Sequence, residues 1–246
     1  MGFQGSDKEG GKLGIEQPLA SPWDICLAHS STSNDPDFLI IANAGTHQIW
    51  GLALQDLTWW KNIQVEAGRC LRLAGTGAEE NRNNSYPAKA AFAQPSGICC
   101  AALQFPSTDY LLFIADSESS SIRQINMKDG SVKALVGGGK DPMVISSPLK
   151  LSLNSNCNSI SNSQDLFSYG DRDNKDNPKG AVLLQHPLAV AWNSANQLLY
   201  VADSYNHKIK TVNPLTKVCS TYLGNGKAGL VDGSSEDEIQ VSSILF

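Results

Sequence analysis

Three stretches of the chain share one pattern of apolar and polar positions. They are LIIANAGTHQIWGL at 39–52, LFIADSESSSIRQI at 112–125 and LYVADSYNHKIKTV at 199–212. In each stretch an apolar run ends in Ala and then Asn43, Asp116 or Asp203, and an Ile follows six residues later. A pattern that returns in this way indicates internal repeats.

The segments around each stretch repeat as well. A proline ahead of each stretch opens a short apolar segment, and these prolines are Pro22, Pro95 and Pro187. A strand-like segment behind each stretch ends in a glycine, and these glycines are Gly75, Gly137 and Gly224. The distance from the polar residue to the glycine is 21 residues in both the second and the third unit. The repeat therefore covers whole units and not only their centres.

The pattern of apolar and polar residues in each unit predicts four β-strands. A proline has no N–H, which is tolerable where the chain enters a first strand. The second strand is nearly all apolar, as expected for a strand buried on both faces, so we expect Leu112, Ile114, Leu199 and Val201 in the core. The third strand alternates, and the fourth ends at a glycine that can take a positive φ. Successive four-stranded units linked by Gly-rich turns predict an all-β fold of the β-propeller type.

The Asp and His of the third unit raise the question of an acid–base or metal-binding pair. However, His47, Ser120 and His207 occupy the same place in the three units, which favours a hairpin turn over a reaction. Asp and Asn side chains bond nearby backbone N–H groups and suit such turns. The predicted turn positions are Asn43, His47, Asp116, Ser120, Asp203, Asn206 and His207. We expect Asp203→Ala to lower the free energy of unfolding by about 1 to 3 kcal/mol.

The third unit, from Pro187 to Gly226, combines the opening proline with LYVADSYNHKI and LGNG. This combination resembles the NHL repeat, a unit of six-bladed propellers, with Asn206-His207 in the place of its Asn-His. The other two units depart from that pattern, with Thr46-His47 and Ser119-Ser120 at this place. The resemblance implies a module that binds a protein partner. It also implies that a complete protein of this kind carries an amino-terminal thioredoxin-like domain and a carboxy-terminal β domain.

The repeats predict three blades, which is part of a six-bladed ring. We expect them at 17–77, with an insertion at 55–68, and at 78–138 and 182–226. Residues 1–16 and 227–246 are expected to be connectors between blades, and 139–181 a polar insertion rich in Ser and Asn. A chain of three blades would be a fragment or a truncated form, and we expect it to self-associate through its open blade faces.

Charge and cysteine spacing narrow the choice of partners. Lys and Arg number 19 and Asp and Glu 24, so the net charge is −5, which disfavours binding to the phosphate backbone of a nucleic acid. No apolar segment is long enough for a signal peptide or a membrane span, so we expect a cytosolic protein without a membrane partner. The six cysteines include no Cys-x-x-Cys spacing, which favours buried reduced thiols over a zinc site.

The enzyme alternative is a metal-dependent lyase or hydrolase. Some NHL-type propellers, the peptidyl-hydroxyglycine amidating lyases, hold zinc on the central axis through histidines from different blades. The chain has four histidines, His29, His47, His186 and His207. His186 is the candidate at the mouth of the channel, because it precedes the proline of a first strand. Ser21 and Gln94 stand there in the other units, whereas a catalytic zinc site needs three protein ligands.

Two further motifs match known binding sites only in part. DRDNKDNPKG at 171–180 lacks the oxygen ligand, Gly and Glu that an EF-hand loop needs at its fifth, sixth and twelfth positions, which leaves only looser coordination by Asp171 and Asp173. GNGKAG at 224–229 matches a dinucleotide-binding pattern, but the equivalent GTG at 75–77 indicates an inter-blade turn. We therefore predict no catalytic residue, no cofactor and no metal, and a non-enzymatic module for an unidentified protein partner.

Overall fold

The computed structural model describes residues 7–29, 37–60, 63–103, 109–138, 170–178 and 181–229. Within these ranges the chain forms three antiparallel sheets of four or five strands and one separate two-stranded hairpin. The predicted all-β fold is confirmed. No helix in the described ranges is long and apolar enough to cross a lipid bilayer.

The first sheet has five strands in the order β1-β7-β4-β3-β2. Its strands, together with the hairpin β5–β6, are β1 (Gly10–Leu13), β2 (Pro22–Ala28), β3 (Phe38–Asn43), β4 (Gln48–Ala53), β5 (Leu57–Trp59), β6 (Ile63–Val65) and β7 (Arg69–Ala74). The hairpin occupies the predicted insertion at 55–68. Strand β1 lies inside the predicted connector 1–16, where it pairs with the outer edge of β7 and so satisfies backbone groups that this edge would leave unpaired.

The second and third sheets each contain four strands in the order of the chain. The second sheet consists of β8 (Pro95–Leu103), β9 (Asp109–Asp116), β10 (Ser121–Asn126) and β11 (Val132–Gly137). The third consists of β12 (Pro187–Asn193), β13 (Leu198–Asp203), β14 (Lys208–Val212) and β15 (Cys219–Leu223). In all three sheets the opening proline pairs with the Asn or Asp that ends the second strand, and the register shifts directly after it. The missing N–H of each proline therefore falls at an irregular strand start.

The three sheets are joined by two apolar cores. Ile40 and Ile49 of the first sheet pack with Leu112 and Ile114 of the second. Phe113 and Ile122, on the opposite side of the second sheet, pack with Leu199 and Val201 of the third. The predicted core positions Leu112, Ile114, Leu199 and Val201 are 0% exposed. We call the side of a sheet that faces the preceding sheet its front face, and the opposite side its back face.

Two predicted regions fall largely outside the described residues. Of the insertion at 139–181, residues 139–169 and 179–180 lie outside them, and 170–178 lie beside the third sheet. Of the connector at 227–246, residues 230–246 lie outside them. The blade boundaries and the number of blades in a closed ring stay predictions.

Candidate functional site

The predicted turn positions lie between the second and third strands of each sheet. A short 3-10 turn follows the second strand in all three sheets, at Ala44–Thr46, Ser117–Ser119 and Ser204–Asn206. The next residue is left-handed in each case, with φ of 54° at His47, 49° at Ser120 and 52° at His207. This conformation is uncommon for residues other than glycine, so its recurrence defines one turn used three times.

The polar residue before each turn ties the turn to the start of the first strand. Asp203 accepts a hydrogen bond from the backbone N–H of Gln185 at 2.7 Å and another from the Asn206 amide at 2.8 Å. The same arrangement recurs in the other sheets, where Asp116 accepts from Ala93, Gln94 and Ser119, and Asn43 accepts from Ala20 and donates to Thr46. The carboxylates therefore bind backbone and turn groups of the scaffold, as is common for Asx residues in turns.

Two buried cations complete these turns. The guanidinium of Arg123 lies 3.5 Å from the Asp116 carboxylate, and the ammonium of Lys210 lies 3.4 Å from that of Asp203. All four side chains are 0% exposed. Each cation is the seventh residue after its aspartate, and this spacing is visible in the sequence. In the first sheet the same two positions hold Asn43 and Trp50, so the pair is uncharged there.

Burial and charge act in opposite directions on these groups. Burial raises the pKa of Asp116 and of Asp203, and the adjacent cations partly oppose that rise. Burial likewise disfavours the charged form of Lys210, but the surrounding carboxylates, Asp203 first, raise its pKa above the usual value. Lys210 therefore stays protonated in the interior.

The carboxylates that were considered for calcium are bound to lysine. Lys210 lies 2.8 Å from Asp171 and 3.0 Å from Asp173, and Lys208 lies 2.6 Å from Asp171. Asp173 also accepts a hydrogen bond from the backbone N–H of Thr221 at 2.6 Å. Within the described part of the chain no three His, Cys, Asp or Glu side chains are grouped so as to hold a metal ion. Asp171 and Asp173 thus form ion pairs to lysines of the third sheet.

A groove of about 870 Å³ opens where the first strands begin, and we call it the mouth groove. Trp23, Glu118, His186 and Tyr205 line it at this end. Trp23 is 53% and Tyr205 56% exposed. The His186 ring packs against the Tyr205 ring at a tilt of 40° with centroids 4.4 Å apart, and its Nδ1 lies 3.6 Å from the Glu118 carboxylate. The groove thus combines exposed aromatic rings with a carboxylate.

The sequence identified only His186 of these groove residues. Glu118 and Tyr205 were missed, although each is the second residue after the aspartate of its turn, and Gly45 holds the same place in the first sheet. All three residues at this place are exposed. Their place in the repeat could therefore have identified them, because the middle residue of each repeated turn faces solvent.

The other histidines lie elsewhere. His29 stacks on Tyr110, with centroids 5.5 Å apart. Nδ1 of His47 contacts the carbonyl oxygen of Ala93, and His207 occupies its left-handed turn. The structure therefore does not bring His29, His47 and His207 to His186.

The cysteines of the described ranges are free thiols. Burial raises the pKa of Cys70 and of Cys100 to about 11, and that of Cys219 to about 12. Cys26 and Cys99 are shifted in the same direction by the same cause. Thiols that stay protonated at neutral pH are poor nucleophiles, so these side chains act as small apolar groups in the core.

The chain is similar along nearly its whole length to named proteins. It is 48% identical to NHL repeat-containing protein 2 of Gallus gallus and of Homo sapiens, over 96% and 97% of this chain and 29% of each relative. It is 40% identical to Protein SUPPRESSOR OF QUENCHING 1, chloroplastic, of Arabidopsis thaliana, over 94% of this chain and 18% of that protein. The chain thus spans less than a third of the length of these relatives. The resemblance to NHL repeat proteins is confirmed.

The chain was also compared with protein-family models and with solved structures. No protein-family model matches the chain. Among solved structures, an auxiliary nutrient binding protein from Bacteroides ovatus is 14% identical, with a TM-score of 0.48 over 76% of this chain and 35% of that chain.

Proposed function

We propose, on the premise that this chain is similar to NHL repeat-containing proteins, that it is a non-enzymatic propeller module that binds a protein segment in the mouth groove. The observation that carries the proposal is the composition of the groove wall, where Trp23 and Tyr205 stand half exposed beside Glu118. Half-exposed aromatic side chains in a concave site are typical anchors of protein recognition.

The charge of the groove favours a basic segment. Among the described residues that line it, the charged ones are Asp24 and Glu118, and His186 is the one basic side chain. Both oxygens of Asp24 already accept backbone hydrogen bonds, from Ile25 at 2.8 Å and from Ile98 at 2.9 Å. The Glu118 side chain is 43% exposed and contacts only the His186 ring at 3.6 Å among the groove residues, so it is the carboxylate more accessible to an arriving cation. An Arg or Lys side chain would contact Glu118 and lie over the ring of Tyr205, where a cation–π contact adds to the ion pair.

The scaffold holds these side chains in a fixed arrangement. Glu118 and Tyr205 belong to the 3-10 turns that Asp116 and Asp203 anchor through buried hydrogen bonds. A site whose backbone is already ordered loses little conformational entropy when it binds, which increases affinity for an extended segment.

The test is a fluorescence anisotropy titration with two labelled peptides of equal length, one carrying Arg and Lys and one carrying Glu in their place. The intact protein should bind the basic peptide more tightly. The variant Glu118→Gln/Tyr205→Ala should weaken that binding by about tenfold or more, which corresponds to about 1.4 kcal/mol. The matched control Glu16→Gln/Tyr86→Ala changes an exposed acid and an exposed tyrosine outside the groove and should bind as the intact protein does. Equal affinity for both peptides, or an equal loss in the control, would contradict the proposal.

We also propose that the module acts in the cytosol as part of a larger protein with a thioredoxin-like and a carboxy-terminal β domain. The free thiols of Cys26, Cys70 and Cys219 support a reducing compartment. The greater length of the relatives supports further domains. Digitonin fractionation of cells that produce the protein would recover it with cytosolic markers, and recovery with organelles would contradict the cytosolic part.

A further inference from the structure

Equivalent positions on the front faces differ sharply in exposure. Ile25, Ile98 and Val190 are equivalent, because each pairs with the residue two places before the end of its second strand. Ile98 is 3% and Val190 9% exposed, because each packs against the sheet in front of it. Ile25 is 57% exposed, and Leu27 on the same face is 53% exposed. The front face of the first sheet thus exposes the positions that a neighbouring sheet covers in the second and third sheets.

The back faces show the complementary difference. Leu73, Leu135 and Tyr222 are equivalent, each standing two residues before the glycine that ends the fourth strand. Leu73 is 3% and Leu135 4% exposed, whereas Tyr222 is 51% exposed. Other back-face positions hold the same residue type in all three sheets. One position is Ala42, Ala115 and Ala202, and another is Ile49, Ile122 and Ile209.

We propose that two copies of this chain associate front to back, with the front face of the first sheet in one copy packed on the back face of the third sheet in the other. The interfaces inside the chain supply the template, since each joins a front face to a back face through the same strand positions. A second copy presents both faces at once. The side chains named on the two faces are uncharged, so their association removes apolar surface from water. The front face also carries Arg72, opposite Trp50, but its charge is already paired with Glu9 at 2.6 Å.

The contact is heterologous, because the two faces that meet are different surfaces. Two copies can use it twice, each giving one front and one back face, and this closes a ring of six sheets with two-fold symmetry. Glu118 and Tyr205 are not among the residues named on either face, whereas Ala202 and Ile209 of the back face also line the mouth groove. The association therefore borders the proposed peptide site without removing Glu118 or Tyr205 from it.

Sedimentation velocity of the purified chain tests this association. The intact protein should sediment as a dimer. Ile25→Glu changes the front face and Tyr222→Glu the back face, and each variant alone should sediment as a monomer, because each copy then lacks one of the two faces. Ile63→Glu is the matched control, since Ile63 is 50% exposed on the separate hairpin, and this variant should stay dimeric. Near-ultraviolet circular dichroism of each variant confirms that the fold is retained.

An equimolar mixture of the two variants separates this contact from a symmetric one. The intact front face of Tyr222→Glu can still meet the intact back face of Ile25→Glu, so the mixture should regain a dimer species that neither variant forms alone. A monomeric intact protein would overturn the proposal. So would a single variant that remains dimeric, because it would show that one kind of face associates with itself.

Discussion

The buried charge pairs distinguish the second and third units from the first. Asp116 with Arg123 in the second sheet places both charges in the interior. In the first sheet Asn43 stands for the aspartate and Trp50 for the cation, and the indole N–H donates to Gln48 at 3.0 Å. A lone buried charge is far more costly than a buried pair or a neutral pair, so the two positions have to change together.

Arg123→Leu should therefore be strongly destabilising. It leaves the Asp116 carboxylate buried without its cation and should lower the free energy of unfolding at pH 7 by about 3 to 5 kcal/mol. Asp116→Asn/Arg123→Leu imitates the neutral pair of the first sheet and should lose less than Arg123→Leu alone. Urea unfolding followed by circular dichroism measures both values. A double variant less stable than the single one would show that the charge pair is not the source of the loss.

The pH dependence of the stability loss is the control for this prediction. Burial raises the pKa of Asp116 in the folded state, and removal of Arg123 raises it further. A group with a raised pKa in the folded state contributes stability below its unfolded pKa, and this contribution is lost as the pH rises through the folded pKa. The loss caused by Arg123→Leu should hence be smaller near pH 4 than at pH 7, where the orphaned carboxylate has to ionise or remain protonated at a cost. A loss that does not depend on pH would point to packing instead.

At the scale of the element, the glycine at the end of each fourth strand lies very close to the backbone of the turn between the second and third strands. A Cβ at Gly75 would lie 2.8 Å from the carbonyl oxygen of His47, and a Cβ at Gly224 would collide with that of His207. The carbonyl belongs in both cases to the left-handed residue of the turn. The glycine thus lets the fourth strand pass beside the turn between the second and third strands.

Gly224→Ala and Gly226→Ala form a matched pair that isolates this approach. Both glycines have positive φ, 95° and 81°, but the nearest atom to a Cβ at Gly226 is the flexible Cε of Lys208 at 3.5 Å. Gly226→Ala should lower the free energy of unfolding by about 1 kcal/mol, or Tm by roughly 2 to 4 °C, because alanine disfavours a positive φ. Gly224→Ala should cost about 3 kcal/mol, because the backbone also has to move. Thermal melts of the two variants check this, and equal Tm values would rule out the close approach as the constraint.

The sequence predicted the repeated strands and turns because their signals are local. A proline, an apolar run, a polar turn residue and a glycine recur at fixed spacing, and each restricts the backbone where it stands. Strand β1 carries no such signal, since Gly-Gly-Lys-Leu has little tendency to form a strand alone and pairs only because the edge of β7 is available.

Buried cations and the mouth groove could not be predicted in the same way. Arg123 and Lys210 stand in alternating strands, where a charged residue normally indicates the solvent side, and only their distance from an aspartate marks them as paired. The grouping of Trp23, Glu118 and Tyr205 depends on how three sheets stand beside one another. That placement results from packing between sheets, which strand patterns do not specify.

The whole molecule presents two kinds of surface. The front face of the first sheet and the back face of the third carry the apolar residues Ile25, Leu27 and Tyr222 and suit association between sheets. The mouth groove carries Glu118 and Tyr205 on anchored turns and suits a ligand. We propose that the mouth groove binds a basic protein segment and performs no metal chemistry.

Native mass spectrometry of the purified chain with equimolar basic and acidic peptides tests that claim most directly, because one spectrum reports both bound peptide and bound metal. We predict a mass increment for the basic peptide alone, lost in Glu118→Gln/Tyr205→Ala. An increment of about 65 Da that disappears in His186→Ala would reveal a zinc ion and support the lyase alternative. That result, or equal uptake of the two peptides, would contradict the account.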